Sequence, residues 1–491
     1  MTTPFSSVAM TGTTNAALRE HLKRIDGQED ICFATYGTSS GVRRRTALIR
    51  DLILPLPGER DVHGNVSFSG DYVLRAAGSA ARAEEGLVLL HSHPSGKGWQ
   101  ILNPGDADAE RSYAYLVHRI TGLPLVGMTL AGADGAWSAR AWTADGLATA
   151  CESVRVIDSR MTVTWNDDRR PAPRYLETQV RTRSGWGDRM HGDISRLRVL
   201  VVGSGSVGLD VALRLAATGI QHVAVMDFDT VEVVNIDRMI GATILDAKLY
   251  RAKVDVAKRL LESAATAAKF QLDAFDMSMC TPEGFRRALD FDVIFSCVDR
   301  PWPRAVLNML AYADLIPVVD GGINVDPFSD GGIRNVTWRS HVVRPGRPCL
   351  SCNKQLDLGL VAVDRQGLLD DPTYITGMTR SARPTRENVA SLSVSVTAAL
   401  LAQFVSLVAG AGGRGEPGPL QYCLSWHKLE HLPYQSGFRR GRCARRHSAR
   451  HDGATRAGRP RQGEAPARGE TAGSPASAEW WITRSYAHGV P

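Results

Sequence analysis

Three groups of residues in this sequence have the types and spacing for chemistry. The first is Gly203-x-Gly205-x-x-Gly208, set directly after the apolar run Val199-Leu200-Val201-Val202 and followed by Asp227. Glycines in this pattern permit a tight turn, a close backbone approach to a phosphate, and close helix–sheet packing. The next helix would turn free N–H groups and its positive dipole end toward the phosphates. Asp227 lies at the distance where a carboxylate accepts ribose hydroxyls. The second group is His91-x-His93-Pro94, closing the strand-like run LVLLHSHP. Imidazoles at i and i+2 on an extended chain share a face and can reach one metal ion. Asp106 or Asp108 could complete a set of two histidines and a carboxylate, leaving a fourth position for water as in a catalytic zinc site. Zinc lowers the pKa of such a water to about 7. The third group is Cys349-x-x-Cys352, either half of a zinc knuckle or two reduced cysteines in a turn.

The elements that must position these groups follow from the pattern. Strand, glycine turn, amphipathic helix and second buried strand run in order from Val199 to Asp227. Further on, AKVDVAKRLLESAA reads as a helix, FDVIFSCVD as a buried strand, PWPRAVLNMLAYADL as a helix and IPVVDGGIN as a strand. Apolar runs alternating with helical patterns indicate an α/β fold with a mostly parallel sheet. INVDPFSDGGIRNVTWRSHVVRPGRPCLSC reads as added antiparallel strands. Before all this, AALREHLKRI predicts a helix, and ICFATYG, RTALIRDLILPLP and GNVSF predict a strand meander. A helix, YVLRAAGSAARAEEG, leads into the histidine strand, and Asp134-Gly135 marks a later hairpin. NDDRRPAPR, residues 166–174, is the clearest linker.

Taken alone, the glycine motif would suggest NAD-dependent hydride transfer. The residues after it point elsewhere. Asp227-x-Asp229, Asn235 with Arg238, Lys253 opening a helix, and Cys297-Val298-Asp299-Arg300 stand in the order of the D-x-D, N-x-x-R, lysine and C-T-D-N signatures of the adenylate-forming ThiF/MoeB/ubiquitin-activating superfamily. The stretch of roughly residues 175–410 resembles that family. The resemblance implies ATP and Mg²⁺ as cofactors. Gly203, Gly205, Gly208, Asp227, Asp229, Asn235, Arg238, Lys253 and Asp299 would form the nucleotide site. The chemistry agrees: attack of a carboxylate on the α-phosphate needs donors around the triphosphate, which Asn235, Arg238 and Lys253 would supply. Asp299 suits Mg²⁺, which prefers carboxylate oxygen. Singly, Arg238 and Lys253 also read as solvated helix residues and Asp299 as a helix cap before Pro301. The family's R-Q pair, whose arginine crosses a homodimer interface, is matched only at Gln179; Thr178 holds the arginine position, with Arg174 and Arg181 nearby, so a homodimer stays open. The family's second C-x-x-C is absent, leaving Cys423 alone and Cys443 with His447, so a second, structural zinc is evenly balanced. The loop from Leu356 to Ala390 holds no cysteine for a thioester, and Cys280 and Cys297 come earlier.

Roughly residues 15–140 resemble the JAMM/MPN (JAB) isopeptidases, which carry an upstream glutamate, H-S/T-H-P and S-x-x-D. His91, His93 and Asp106 match the ligands, and the resemblance implies that Glu29 takes the water's proton. Glu84 and Glu85 rank behind it, on the helix before the histidine strand. Asn103 stands where the motif has its oxyanion-steadying serine; its amide can still donate. The interval from His93 to Asp106 is longer than in the best-known members.

The chain has 491 residues, 43% hydrophobic and 22% charged, with eight cysteines, too few for a disulfide scaffold. Its net charge of +7 collects in the Arg-rich stretch from Phe438 onward, so no nucleic-acid partner is expected, and that stretch reads as a disordered tail. No secretory signal pattern opens the chain, and the uncharged run Leu392–Gly410 reads as a buried helix of the ATP domain and not a membrane span. A cytoplasmic protein is expected. The expected organisation is a JAB/MPN α+β domain over 1–160, a linker and leading helix over 161–195, a ThiF-like Rossmann-type domain over 196–437 and the tail over 438–491. The expected function is ATP-dependent adenylation of a ubiquitin-like protein's C-terminal carboxylate, joined to a zinc isopeptidase that trims or deconjugates such a protein, with a conjugating enzyme as a further partner. The alternatives are a sulfur-carrier adenylyltransferase of thiamine or molybdopterin type, or a nucleotide-binding scaffold with an inactive zinc site.

Overall fold

The computed structural model describes residues 5–63, 66–370 and 387–432. The chain divides into two compact units. One comprises residues up to 196 with 407–415; the other comprises 197–406 with the described residues from 416.

In the first unit, eleven strands are β1 (Ser7–Thr11), β2 (Ile31–Ser40), β3 (Arg45–Ile53), β4 (Arg60–Val62), β5 (Val66–Phe68), β6 (Gly86–His93), β7 (Leu125–Ala131), β8 (Trp137–Trp142), β9 (Ala148–Ala150), β10 (Ser153–Ile157) and β11 (Thr162–Trp165). Nine of them form one mixed sheet in the order β11-β10-β1-β3-β2-β6-β7-β8-β9. Strand alternation sends Val88 and Leu90 of β6 to one face, where Met10, Leu18 and Leu22 pack. Leu87 and Leu89 point to the other face. That second face is covered by α2 (Gly70–Ala83) and α3 (Pro104–Thr121) through Val73, Ala77, Ala114 and Val117; α1 (Gly12–Leu22) lies on the first. The same alternation puts His91 and His93 on the α2/α3 face. The Asp134-Gly135 turn joins β7 to β8 as an antiparallel hairpin, with Gly135 at φ +74°. The strand-like stretch MTVTW supplies the edge strand of this sheet, with Thr162–Trp165 paired antiparallel with β10. The short helices α4 (Val180–Trp186) and α5 (Asp188–Ser195) follow.

The second unit's strands are β12 (Arg198–Val202), β13 (His222–Asp227), β14 (Gln271–Asp276), β15 (Val293–Ser296), β16 (Val318–Pro327), β17 (Ile333–Val343), β18 (Leu420–Cys423) and β19 (Lys428–His431). Their sheet order is β14-β13-β12-β15-β16-β17-β18-β19. The first five are parallel and the last three are added antiparallel, as the sequence patterns indicate. Renumbered from its own first strand the order is 3-2-1-4-5, the doubly wound arrangement whose switch point lies between β12 and β15. The helices among these strands are α6 (Ser206–Thr218), α7 (Ile244–Lys248), α8 (Lys253–Ala264), α9 (Pro282–Ala288), α10 (Pro301–Ala313) and α11 (Leu358–Arg365).

The helix Ala390–Ala409 is the one described helix long and apolar enough to cross a membrane. It buries one stripe, Ser393, Val396, Leu400, Gln403 and Phe404, at helical spacing. Phe404 meets Phe295 of β15 at 5.5 Å between ring centroids, and the Gln403 amide donates to the Gly418 carbonyl at 2.7 Å.

His341 of β17 is wholly buried, and burial pushes its imidazole down to about 4. The unfolded chain, at the ordinary 6.5, takes up a proton that the folded chain refuses. Stability is therefore full above pH 6.5 and falls as pH drops toward 4, by about 1.4 kcal/mol per unit and roughly 3 kcal/mol in all. A His341→Gln variant lacks this term. Chemical unfolding at pH 6.5, 5.5 and 4.5 should show the variant gaining on the wild-type protein by that slope; parallel curves would remove His341 as the cause.

Candidate functional site

The glycine turn sits at the switch point of the second sheet. Gly203 holds φ +94°, and a Cβ there would stand 2.6 Å from the Cys297 carbonyl oxygen. A Cβ on Gly208 would lie 1.8 Å from the Gly203 carbonyl oxygen. Gly205 differs. Its backbone is extended (φ −78°), and a Cβ there would meet nothing within 4 Å. The fold itself has no need of glycine at 205; what the small residue preserves is open space beside the N-terminus of α6. That N-terminus carries no side-chain cap, and the buried hydroxyls of Ser204 and Ser206 have no partner in the structure. Unmet buried donors around an open cradle fit an anionic group such as a phosphate.

These contrasts give a paired prediction. Gly208→Ala forces backbone against backbone and should destabilise the protein by about 3 kcal/mol. Gly205→Ala should leave the unfolding midpoint unchanged while weakening ATP binding. Denaturation and titration calorimetry on the two variants separate these effects; equal stability losses would refute the cradle.

Asp227 ends β13, and both of its oxygens are engaged: Oδ2 accepts from Ser204 N–H at 2.6 Å and Oδ1 from Asp229 N–H at 2.9 Å. Burial raises its pKa, opposed by those two N–H groups and the Lys253 charge. Asp227 therefore ties the glycine turn to the loop after β13. The more exposed Asp229 is held by Lys253 Nζ at 2.7 Å, while the Lys253 N–H donates to the Asp229 carbonyl at 2.9 Å. Lys253 thus orients Asp229. Asn235 Oδ1 accepts the Glu232 N–H at 3.0 Å and closes a capping box. Arg238 donates to the Val234 carbonyl and to Asp237 Oδ1 at 3.1 Å. It also lines a cleft of about 190 Å³ with Ser206, Asp210, Ser391 and Ser393, so it shares a cavity wall with the start of α6.

Asp299 lies in the loop after β15, across the switch point from the glycine turn. It is exposed, and no partner is found for its carboxylate among the described residues. It does not cap the following helix: Arg300 is the N-cap of α10, and Asp364 Oδ2 accepts the Trp302 N–H at 2.8 Å. Arg300, where the family pattern has asparagine, is committed to Asp364 at 2.8 Å and Asp370 at 2.9 Å. An unpaired carboxylate at the mouth of a phosphate cradle fits a hydrated Mg²⁺.

In the first unit the sheet and α3 assemble the other site. Asn103 is the N-cap of α3, its Oδ1 accepting the Asp106 N–H at 2.9 Å, with Pro104 in the first turn and Gly122 closing the helix at φ +72°. This cap aims Asp106 at the end of β6. His91 Nε2 and His93 Nε2 stand 3.2 Å apart, and Asp106 Oδ2 is 3.2 Å from His93 Nε2 and 3.7 Å from His91 Nε2. Ligands of a tetrahedral zinc at 2.0–2.1 Å stand about 3.4 Å apart. Among the described residues these three form the one cluster of metal-binding type; exposed Asp108 pairs with Arg111 instead. His93 Nδ1 donates to Gln100 Oε1 at 3.2 Å, which fixes the tautomer and leaves the Nε2 lone pair facing the cluster. The hydrogen bond that a protonated His93 donates to Asp106 raises the His93 pKa; burial opposes it, and the Gln100 bond and the Asp106 and Glu29 charges add to the rise. Burial works to raise the Asp106 pKa, but the two histidines outweigh it and hold the carboxyl well below the usual range.

Glu29 precedes β2, whose antiparallel pairing sets Ile31 opposite His91, so continuing the register brings Glu29 opposite His93. Glu84 ends α2 in a left-handed conformation, and Glu85 is bound to Arg50 at 2.7 Å, so neither serves the cluster. Residues that sequence reading missed include Gln100, Ser204 and Ser206. They also include Glu110, one turn after Asp106, where the i, i+4 spacing was the available signal.

The Cys349 and Cys352 sulfurs stand 3.4 Å apart, too far for a disulfide, and no third metal-binding group joins them among the described residues. Cys423 lies in β18 bonded to Asn335. Cys443, His447 and the whole segment 438–491 lie outside the described residues, as do residues 371–386 of the loop searched for a thioester cysteine. Gln179 is buried and Thr178 exposed.

Strand order, glycine turn and switch-point carboxylate define a Rossmann-type nucleotide-binding domain. Residues 176–420 match the ThiF family, and a ThiF-family domain occupies that stretch. Molybdopterin-synthase adenylyltransferase of Escherichia coli (strain K12) is 28% identical over 162 residues, 32% of this chain and 59% of that protein. The Nedd8-activating enzyme E1 catalytic subunit of Drosophila melanogaster is 28% identical over 179 residues, 33% of this chain and 36% of that protein. The chain therefore spans less than two thirds of either. Among solved structures, E. coli MccB with ATP is similar at 14% identity and a TM-score of 0.39, over 52% of this chain and 71% of that one.

Proposed function

We propose that the second unit adenylates the C-terminal carboxylate of a small β-grasp protein of ubiquitin-like type, using ATP and Mg²⁺. We propose further that the first unit is a zinc-dependent isopeptidase of JAMM type that trims or deconjugates such a protein. The observation that carries the first reading is the open cradle at Gly205, with an unpartnered Asp299 in the loop after the adjacent strand β15, within a ThiF-family domain.

In the adenylation, a carboxylate oxygen of the carrier attacks the α-phosphorus of ATP, the bond from that phosphorus to the bridging oxygen breaks, and pyrophosphate leaves. The α6 N–H groups and the Ser204 and Ser206 hydroxyls bind phosphate oxygens. Asp229, braced by Lys253, faces the ribose. Arg238 draws charge off the phosphates from the cleft wall. Asp299 would hold Mg²⁺, which supplies charge neutralisation on the leaving pyrophosphate.

In the first unit His91, His93 and Asp106 would hold zinc, which supplies Lewis acidity toward a peptide carbonyl and its attacking water. Glu29 takes a proton from that water and returns it to the leaving amine. The Asn103 side-chain NH₂, left unused by the capping bond through Oδ1, donates to the developing oxyanion.

The likeness to molybdopterin-synthase adenylyltransferase, which this chain covers further than the other curated relatives named, favours a second reading: a sulfur-carrier protein as substrate. ATP–pyrophosphate exchange with β-grasp proteins ending in Gly-Gly tests both. Exchange that needs the intact carboxylate supports adenylation. Later appearance of the carrier on a lysine of a second protein, with a conjugating enzyme present, favours the ubiquitin-like class; a carrier thiocarboxylate favours the sulfur class. No exchange with any such carrier would reject both.

A further inference from the structure

Beneath the His91/His93/Asp106 cluster lies a polar group that binding of the three ligands does not explain. Glu110 is 1% exposed, one helical turn after Asp106 on the same face of α3. Trp142 Nε1 donates to its Oε2 at 2.6 Å, Arg140 Nε donates to Oε2 at 2.7 Å, and Arg140 Nη2 donates to Oε1. Arg140 Nη1 continues to Thr129 Oγ1 at 2.9 Å. Thr129 is the β7 register partner of His91, and its Oγ1 lies 3.5 Å from His91 Nε2. Glu110 Oε1 lies 4.0 Å from His91 Nδ1. Glu110 and Thr129 both lie beside the His91 imidazole, and Arg140 links the two.

The neighbouring strand is shaped for this carboxylate. Gly127 lies on β7, and a Cβ there would stand 2.1 Å from Glu110 Oε2. A buried carboxylate and guanidinium are costly to desolvate, and replacing such a pair by apolar residues is often neutral or stabilising. Its presence directly under a metal-binding cluster calls for a use.

We propose that Glu110 is a positioning residue for His91, an inference that rests on the zinc-site reading above. Its carboxylate lies 4.0 Å from Nδ1, so its charge favours the ring proton on Nδ1 and leaves the Nε2 lone pair toward His93 and Asp106. Gln100 does the same for His93. Arg140 fixes the buried carboxylate in place by donating to both of its oxygens, and it also holds Thr129 beside the ring. The two histidines thus enter the cluster pre-set in the same tautomer, one held by an amide and one by a carboxylate–guanidinium pair.

The test uses the full chain with Zn²⁺ and Co²⁺ as probes. Glu110→Gln keeps the shape but removes the charge; because it strands Arg140, the double variant Glu110→Gln/Arg140→Met is made beside it. Leu18→Ala, on the other face of the sheet, serves as a stability-matched control. Zinc affinity of the folded fraction is read by competition with a chromogenic chelator, and ligand geometry by the Co²⁺ visible spectrum. The expected result is a zinc affinity about 10- to 100-fold weaker in the double variant, with an altered cobalt spectrum, while Leu18→Ala matches the wild type. Wild-type affinity and spectrum in the folded double variant overturn the role of Glu110 alone. A wild-type protein that binds neither metal overturns the zinc reading beneath it as well.

Discussion

Asp299→Ala lowers carrier-dependent ATP–pyrophosphate exchange by about 100- to 1,000-fold, the loss that follows removal of one group stabilising transition-state charge. The carboxylate is exposed, has no partner among the described residues and caps no helix, so its removal costs the fold little. The unfolding midpoint should move by less than about 0.5 kcal/mol. The variant also loses most of the difference between ATP binding with and without Mg²⁺. An exchange rate within threefold of wild type, on the order of 0.6 kcal/mol, would remove Asp299 from the site. The contrast with Arg300 sharpens the result. Arg300→Ala breaks pairs with Asp364 and Asp370, and its effect should appear in stability before catalysis.

His91→Ala reduces bound zinc from about one ion per chain to near zero, since two of three protein ligands do not hold a catalytic-type site against a chelator. His91 contributes an Nε2 within 3.7 Å of both other ligand atoms, and its side chain is buried. Removing it also leaves Glu110 and Thr129 facing a void, so roughly 1–3 kcal/mol of stability should go with the metal. Metal content by mass spectrometry of the native protein, before and after the substitution, reads the first effect directly. Equal zinc in both proteins would place the metal elsewhere. Exchange activity of the second unit should be unaffected, because the residues assigned to the nucleotide site above all lie in the second unit.

Local spacing carried much of each site in the sequence. The glycine turn was legible because backbone sterics demand glycine at 203 and 208. The histidine pair was legible because the strand period puts i and i+2 on one face, and Asp106 because a capped helix start follows. What sequence left out depends on contacts between distant segments. Glu110 acquires meaning only when sheet register brings Arg140 and Thr129 beside it. The pairing of Lys253 with Asp229 likewise depends on a bridge between Thr230 and Ala252 that the local spacing does not show. Asp227 reads as a ribose acceptor, and the fold adds that each of its oxygens accepts a backbone N–H that shapes the loop. The Cys349 pair shows the reverse case: the motif is clear in sequence, but the described fold brings it no third ligand.

Titration calorimetry of the purified protein with ATP, with and without Mg²⁺, and with NAD⁺ as the rival nucleotide, bears most directly on the nucleotide site. Magnesium-dependent ATP binding that NAD⁺ does not displace is the predicted result. Tight NAD⁺ binding, or no heat with ATP at any magnesium concentration, would contradict it.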